Sequence, residues 1–266
     1  MFFLNALNIM KSYRGFIFAS VIREFESKYN RSLLGVAWTL IHPLSMILIY
    51  TVIFTQVMKS RLPDASGQFS YGIYLCSGLL VWGFFSEICG RLLGVFLENS
   101  NLIKKIKFPR VCLPIISIIS SSINFFIIFG FFIIFLILTG NFPWLHFLAF
   151  IPLTLIVCCL ALGLGLLLGI LNVFFRDVGQ FFGIFINFWF WLTPIVYPLS
   201  ILPDMVQKIL WLNPMLPVIK GYQDVFVYSS WPNWISLLYP LVLGFLLLFI
   251  AFNLYSKKSI DLIDEL

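Results

Sequence analysis

The chain has 266 residues, of which 61% are hydrophobic and only 11% are charged. Soluble domains usually have about a quarter of their residues charged, so this composition excludes an ordinary water-soluble protein and favours one embedded in lipid. The formal net charge is +6. Because the basic residues lie in the breaks between apolar runs, where they orient membrane proteins, we interpret the charge as affinity for membrane lipid and expect no nucleic-acid partner.

Within residues 1–31, apolar residues recur at helical spacing and alternate with polar and basic ones. The apolar set is Ile9, Met10, Tyr13, Phe16, Ile17 and Val21, and the polar set is Asn5, Asn8, Lys11, Arg14 and Arg23. Apolar and basic residues in this arrangement predict a helix that lies along the membrane interface. A plain membrane anchor would show the same periodicity, so that alternative stays open.

Six apolar stretches are long enough to cross a bilayer, which takes about 20 residues. They give predicted spans at residues 32–58, 71–97, 111–138, 145–172, 178–197 and 235–255. The third and fourth share one uncharged stretch, which must fold back, and its turn is expected at residues 139–144. The predicted fold is an all-α membrane protein with six transmembrane helices, forming a single domain over residues 1–266.

Glu87 and Arg91 are four residues apart on the second predicted span. Ionisable groups inside a membrane are costly, and they normally pair with each other or face an aqueous space. The spacing favours an ion pair within one helix, and a role in a transport pathway is the alternative.

The connection at residues 98–110 places Leu102, Ile103 and Ile106 beside three lysines, before Pro109. This pattern predicts a short amphipathic helix that could dock into a groove on a soluble partner. The same lysines would also serve simply to hold the loop on the cytoplasmic side of the membrane.

The fifth predicted span is densely aromatic, with three phenylalanines at Phe181, Phe185 and Phe188 recurring along one helical face. Aromatic rings stack on the apolar C–H faces of sugars, so this stripe could line a conduit for a glycan. Packing against lipid is the equally simple alternative.

Residues 204–228, between the fifth and sixth spans, hold Pro214 and Pro217 together with Asp204, Lys208, Lys220 and Asp224. Prolines and charges make a lipid-exposed crossing expensive. We therefore expect a re-entrant pair of short helices that enters the outer leaflet and returns.

Six crossings place both termini on one side of the membrane, and basic residues in loops identify that side. The loops on the side of the termini hold Lys11, Arg14, Arg23, Lys28, Arg31, Lys104, Lys105, Lys107, Arg110, Arg176, Lys257 and Lys258, and the opposite loops hold only Lys59, Arg61, Lys208 and Lys220. This asymmetry predicts cytoplasmic termini.

The sequence contains no Gly-x-x-x-x-Gly-Lys-Ser/Thr phosphate loop, so we expect this chain to bind no ATP in that way. It also has no Gly-x-Ser-x-Gly motif, no His-Glu-x-x-His motif and no Cys-x-x-Cys pair, and its two histidines are far apart in the sequence. We therefore expect neither an enzyme nor a metal or other cofactor site in this chain.

Several segments carry a more specific pattern, in a fixed order along the chain. They are Arg23-Glu24 followed by Leu34-Gly35, Trp38 and His42-Pro43, then Asn101-Leu102-Ile103-Lys104-Lys105 with Phe108-Pro109, Asn172-Val173-Phe174-Phe175-Arg176-Asp177, Thr193-Pro194 and Leu212-Asn213-Pro214. Over nearly its whole length the chain resembles the permease subunits of bacterial polysaccharide-export ABC transporters, which handle O-antigen, capsular polysaccharide or teichoic acid.

This resemblance implies a homodimer of permeases in the bacterial cytoplasmic (inner) membrane, bound to two nucleotide-binding ATPase subunits that hold ATP and Mg. The substrate would be an undecaprenyl-linked polysaccharide. The implied coupling residues are Asn101, Leu102, Ile103, Lys104, Lys105, Ile106 and Phe108. Trp38, Thr39, His42, Tyr50, Phe181, Phe185 and Phe188 would line the channel, and Asp204, Trp211, Pro214, Pro217, Tyr222 and Asp224 would form an outward gate.

Three other functions compete with polysaccharide export. An exporter of a drug, haem or another lipid could share the fold. An intramembrane glycosyl or lipid transferase should show clustered catalytic carboxylates, which the sequence lacks. A structural membrane anchor would need neither a docking loop nor broken gate helices.

Overall fold

A computed structural model describes residues 12–29, 69–105, 108–258 and 261–265, together with the single positions 41, 45 and 49. In this part of the chain all regular structure is helical, which confirms the predicted all-α class. The helices are α1 Arg14–Tyr29, α2 Ser70–Glu98, α3 Ser100–Lys105, α4 Cys112–Leu138, α5 Phe150–Phe174, α6 Asp177–Trp191, α7 Asp204–Leu210, α8 Met215–Phe226, α9 Trp234–Lys258 and α10 Asp261–Asp264, with 3-10 turns at His146–Ala149 and Leu199–Ile201.

Four of the described helical segments are long and apolar enough to cross a membrane: α2, α4, α5 with its preceding 3-10 turn, and α9. The predicted first span, 32–58, lies outside the described residues except for positions 41, 45 and 49. The predicted fifth span corresponds to α6, which has 15 residues. At 1.5 Å per residue α6 is about 22 Å long, shorter than the roughly 30 Å of a bilayer's hydrocarbon core.

Helix α5 lies at the centre of the bundle and packs along both α9 and α2. Glycines let the backbones approach closely. A Cβ on Gly163 would lie 2.7 Å from the Gly244 carbonyl of α9, and a Cβ on Gly169 would collide with the Leu92 carbonyl of α2. Small residues at helix contacts are typical of membrane bundles, where close approach replaces a hydrophobic driving force.

Stacked phenylalanines fill the space between α2, α4 and α5. The rings of Phe84 and Phe125 have centroids 4.2 Å apart, and those of Phe129 and Phe150 are 4.1 Å apart and nearly parallel. These close contacts fix α4 against α2 and α5, although α4 otherwise presents much of its surface outward.

The short helix α1 packs on α4 through Ile17 and Val21, both buried. Phe18 and Ile22 lie on another side of α1 and are exposed. One face therefore docks on the bundle while another presents apolar side chains outward, which suits a helix lying in the membrane interface.

At the opposite end of the bundle from α3, the chain between α6 and α9 forms α7 and α8. Helix α8 is wedged against α2, α5 and α9, and most of its side chains are buried. Helix α7 is mostly exposed, with Met205 and Ile209 facing outward. The segment predicted at 204–228 thus consists of one anchored and one peripheral helix.

Candidate functional site

The aromatic stripe predicted on the fifth span lies on the outer face of α6. Phe181, Phe185 and Phe188 are 69%, 41% and 66% exposed, whereas Phe182 on the other face is 5% exposed. The rings of Phe181 and Phe185 stack with centroids 6.0 Å apart and an interplanar angle of 14°. We call these three phenylalanines the α6 stripe. It is a continuous aromatic surface that the described chain leaves uncovered.

The inner face of α6 fixes the helix against the bundle. Trp189 meets Trp82 and Phe85 of α2 edge-on, with ring centroids 5.8 and 5.3 Å apart. Its indole Nε1 donates a hydrogen bond to Oδ1 of Asn213 at 2.8 Å, and Asn213 Nδ2 donates to Thr193 Oγ1 at 2.8 Å. These contacts determine which face of α6 points outward.

The other predicted channel residues belong to the first span. Trp38, Thr39, His42 and Tyr50 all lie outside the described residues. Their placement opposite the α6 stripe stays a prediction.

The predicted coupling segment begins as the short helix α3, directly after α2. The backbone carbonyl of Asn99 accepts hydrogen bonds from the N–H groups of Leu102 and Ile103, both at 3.0 Å. Leu102 is exposed, as are Asn101 and Lys104, whereas Ile103 is half-buried. The apolar residues of α3 therefore divide between an outward surface and the bundle.

Ile103 packs on an apolar cluster formed by Val95, Phe96, Leu113, Ile170, Val173, Ala251 and Leu262. Phe108 packs on the same cluster and contacts the ring of Phe16 on α1, with centroids 5.3 Å apart. Ile106 and the side chain of Lys105 lie outside the described residues. Through Ile103 and Phe108, the predicted coupling segment thus contacts the end of α2 and helix α1.

A cleft of about 590 Å³ opens between α1 and α3. Its walls are Phe16, Ser20, Arg23 and Glu24 of α1, Arg91, Val95 and Glu98 of α2, Asn99, Leu102 of α3, and Leu113, Ile116 and Ser117 of α4. The cleft combines apolar walls with charges of both signs, so it can receive an amphipathic segment of another protein.

An ionic cluster that includes Glu24 and Arg91 forms part of the wall of this cleft. Arg91 pairs with Glu87 at 3.0 Å, which confirms the predicted ion pair, and it also pairs with Glu24 of α1. The second oxygen of Glu24 accepts a bond from Ser120 at 2.7 Å, and that of Glu87 accepts one from Asn124 at 2.8 Å. Arg91 therefore ties α1, α2 and α4 together, which favours the structural interpretation.

The residues predicted to form an outward gate occupy two different environments. Asp204 and Trp211 are exposed, and Trp211 lies under the Lys220 ammonium at 5.6 Å from the ring centroid. Pro217 and Tyr222 are instead buried in the bundle, as parts of α8. The Tyr222 hydroxyl shares a 2.7 Å hydrogen bond with Thr154 of α5. Pro214 is half-buried, at the turn that joins these two parts.

A second cavity, of about 320 Å³, lies beside α8. It is lined by Tyr74, Pro194, Pro198, Leu199, Ser200, Leu216, Lys220, Gln223, Asp224 and Tyr228. Burial raises the pKa of Asp224, and the Lys220 ammonium opposes that rise. The cavity therefore places the half-buried carboxyl of Asp224, a predicted gate residue, in the same lining as the Lys220 ammonium.

Within residues 12–29, 69–105, 108–258 and 261–265, no three His, Cys, Asp or Glu side chains are grouped so that they could hold a metal ion. Two amide residues emerge that sequence reasoning did not assign: Asn172, buried between helices, and Asn213, which joins α6 to α8. Both stand in segments of the polysaccharide-permease pattern, but a pattern does not reveal which helices a side chain bridges.

The sequence is similar to one protein family and to several named transport proteins. Residues 16–227 match the family described as ABC-2 type transporter. The chain is 28% identical over 256 residues to the O-antigen export system permease protein RfbA of Myxococcus xanthus, covering 96% of each chain. It is 28% identical over 254 residues to a protein of the same name from Klebsiella pneumoniae, covering 93% of this chain and 95% of that one.

A third relative is the polysialic acid transport protein KpsM of Escherichia coli, 25% identical over 246 residues, which are 91% of this chain and 92% of that protein. The family match covers well over half of the sequence, and the apolar helices are long enough to span a bilayer. The chain is therefore an integral membrane protein that belongs to the ABC-2 type transporter family.

Proposed function

We propose that this chain is the membrane-spanning subunit of an ATP-driven exporter that moves a lipid-linked polysaccharide, of O-antigen or capsule type, across the bacterial cytoplasmic membrane. The observation that carries the proposal is the end-to-end alignment with permeases named for O-antigen and polysialic acid, which covers more than 90% of each chain. The undecaprenyl linkage of the substrate follows from the same resemblance.

The conduit is formed by two copies of the chain, with the α6 stripe of each facing the other. Support comes from the exposure of Phe181, Phe185 and Phe188 while the opposite face of α6 is locked into the bundle. A sugar polymer has polar edges and apolar C–H faces, and aromatic rings stack weakly on the latter. Weak, repeated contacts let the polymer slide. Trp38, Thr39, His42 and Tyr50 of the first span supply the opposite wall.

Force enters at the end of the bundle that bears α3. Two nucleotide-binding subunits, which hold ATP and Mg, dock on Asn101 to Phe108 and on the cleft between α1 and α3. The exposed Leu102 and Lys104 and the mixed cleft walls suit such an interface. This end is cytoplasmic, with both termini, in accord with its basic loops.

The exit is the opposite end of the bundle. Helices α7 and α8 enter the outer leaflet and return, so that the chain crosses the membrane six times. The buried bond between Tyr222 and Thr154 anchors α8, while α7 is mostly exposed and moves as the gate. Prolines and charges in this segment make a lipid-exposed crossing costly.

The test is to remove the gene in its own host and to follow the glycan. We expect lipid-linked polysaccharide to accumulate inside spheroplasts and to disappear from the cell surface, and the plasmid-borne gene to restore it. Purification of the tagged chain should also recover an ATPase subunit. If the deletion strain has normal surface glycan and instead retains a drug or haem compound inside the cell, the polysaccharide is not the substrate. The chain would then belong to a drug or haem exporter of the same fold.

A further inference from the structure

The side-chain amide of Asn172, near the end of α5, joins two other helices. Its Nδ2 donates a hydrogen bond to the Leu93 carbonyl of α2 at 3.0 Å. Its Oδ1 accepts a hydrogen bond from the Gly179 N–H of α6, also at 3.0 Å. The residue is 6% exposed, so both bonds are shielded from solvent. A single buried amide thus holds three helices in register.

The two hydrogen-bond partners of Asn172 lie at the start of α6 and near the end of α2. Gly179 lies in the first turn of α6, where backbone N–H groups lack the usual carbonyl partner four residues earlier in the helix. Its N–H donates to the Asn172 Oδ1 at 3.0 Å and, over a longer 3.3 Å, to the Arg176 carbonyl. Leu93 lies near the end of α2, which continues through Asn99 into α3. The amide therefore links the helix that leads into the coupling segment with the start of the helix that carries the α6 stripe.

Two glycines, which have no side chain, make this link possible. One turn before Asn172, a Cβ on Gly169 would collide with the Leu92 carbonyl, so α5 and α2 are in backbone contact there. A Cβ on Gly179 would lie 3.0 Å from Asn172 Oδ1. Because α2 and α6 both lie this close to α5, the short side chain of Asn172 reaches both of them. The three helices are therefore tightly packed at this point.

We propose that Asn172 is a positioning residue that transmits movement of α3 to the first turn of α6. The inference rests on the proposed function, because it needs an ATPase subunit that displaces α3. Close-packed, hydrogen-bonded elements are displaced together. When α3 pulls the end of α2, the Leu93 carbonyl carries the Asn172 amide with it, and the amide carries the Gly179 N–H. The end of the α6 stripe nearest to Gly179 then shifts.

The amide is required because it offers one donor and one acceptor in a small volume. In N172D the acceptor for Gly179 remains, but a carboxylate oxygen without a proton faces the Leu93 carbonyl. In N172L both bonds are lost at nearly constant size. G179A acts from the other side, since its Cβ would press on the amide. All three variants should uncouple the first turn of α6 from α2, while the contacts of Trp189 with Trp82 and Phe85 remain.

The experiment is hydrogen exchange, read by mass spectrometry, on the complex with its ATPase subunit, with and without a non-hydrolysable ATP analogue. In the wild type, nucleotide should change exchange in peptides covering both 100–105 and 177–183. In N172L, and independently in G179A, the change at 100–105 should persist and that at 177–183 should vanish. The ratio of glycan exported to ATP hydrolysed should fall about tenfold, the scale of coupling changes seen along such links.

T154V is the matched control. It removes two buried hydrogen bonds of Thr154, to the Phe150 carbonyl and with the Tyr222 hydroxyl, at nearly constant shape and at the other end of α5 from Asn172. It should keep both nucleotide responses. Loss of the 177–183 response in T154V, or its survival in N172L, would overturn the role of Asn172. A wild-type complex that responds at 100–105 but not at 177–183 would do the same, whereas no response at 100–105 contradicts the proposed coupling function itself.

Discussion

The indole N–H of Trp189 donates a hydrogen bond to Oδ1 of Asn213, and this bond joins the inner face of α6 to the start of α8. The same oxygen also accepts the N–H of Met215 at 3.0 Å, and the amide nitrogen donates to Thr193. Asn213 thereby fixes the α6 stripe at one end, as Asn172 does at the other. The orientation of the stripe follows from these two amides and from the aromatic contacts between them.

N213A should destabilise the protein more than W189F. The first variant removes three hydrogen bonds and leaves the Trp189 indole N–H and the Met215 N–H without their acceptor. The second removes one N–H and keeps an aromatic ring against Trp82 and Phe85. Each unpaired buried group costs about 1–3 kcal/mol. Thermal unfolding of the purified protein in detergent measures both. If W189F proves as destabilising as N213A, the packing of the indole ring, and not the Asn213 amide, holds α6 against the start of α8.

R91Q should loosen α1 from the bundle. It removes the cation shared by Glu24 and Glu87, whose side chains are partly exposed, so we expect a loss of about 1–2 kcal/mol, below the cost of breaking a fully buried pair. Limited proteolysis should then cut sooner within α1. K258Q is the control, because its ion pair with Asp261 is exposed and should contribute little. Lost export with α1 still protected would assign Arg91 to the transport pathway.

L102D and I103D should fail in different ways. Leu102 is exposed on α3, so a carboxylate there should leave the fold intact and weaken co-purification of the ATPase subunit about tenfold, as for a central interface residue. Ile103 packs on the cluster containing Val95 and Phe96, so I103D should lower the melting temperature of the chain alone. An L102D complex that assembles and exports normally would remove Leu102 from the interface.

Asp224 should make stability depend on pH. Because burial raises its pKa, the folded protein holds the proton more tightly than the unfolded chain does. The charged form therefore opposes folding at neutral pH. This penalty shrinks as the pH falls through the raised pKa of the folded state, and it is gone below the ordinary aspartate pKa of the unfolded chain. D224N should raise the melting temperature at neutral pH, with a gain that shrinks at acidic pH. K220M should lower it at neutral pH. A pH-independent effect of D224N would exclude titration of this carboxyl as its cause.

Local spacing predicted those features that lie within one helix. The Glu87–Arg91 pair and the shared face of Phe181, Phe185 and Phe188 both follow from the helical repeat, and the structure contains both. Spacing could not reveal that Glu24, far away in sequence, completes the ionic cluster. Such a contact depends on how α1 docks on α4, which no local pattern specifies.

The outer segment shows the same limit. Its prolines and charges predicted short helices, and α7 and α8 are short. They did not predict that Tyr222 would be buried against Thr154 while Trp211 stays exposed, because both are aromatic residues in an apolar setting. Likewise, Leu102 and Ile103 are adjacent and chemically alike, and only the packing of α3 on the end of α2 separates their roles.

The most direct test of the account compares two triple variants in glycan export. F181L/F185L/F188L removes the rings of the α6 stripe and keeps the helix apolar. F126L/F245L/F249L is the control, since these phenylalanines of α4 and α9 are 53%, 55% and 67% exposed and so match the stripe in chemistry and exposure. Both proteins should insert and assemble with the ATPase subunit. We expect export to slow only in the stripe variant, with ATP hydrolysis retained. Equal export by the two variants would contradict a glycan conduit along α6.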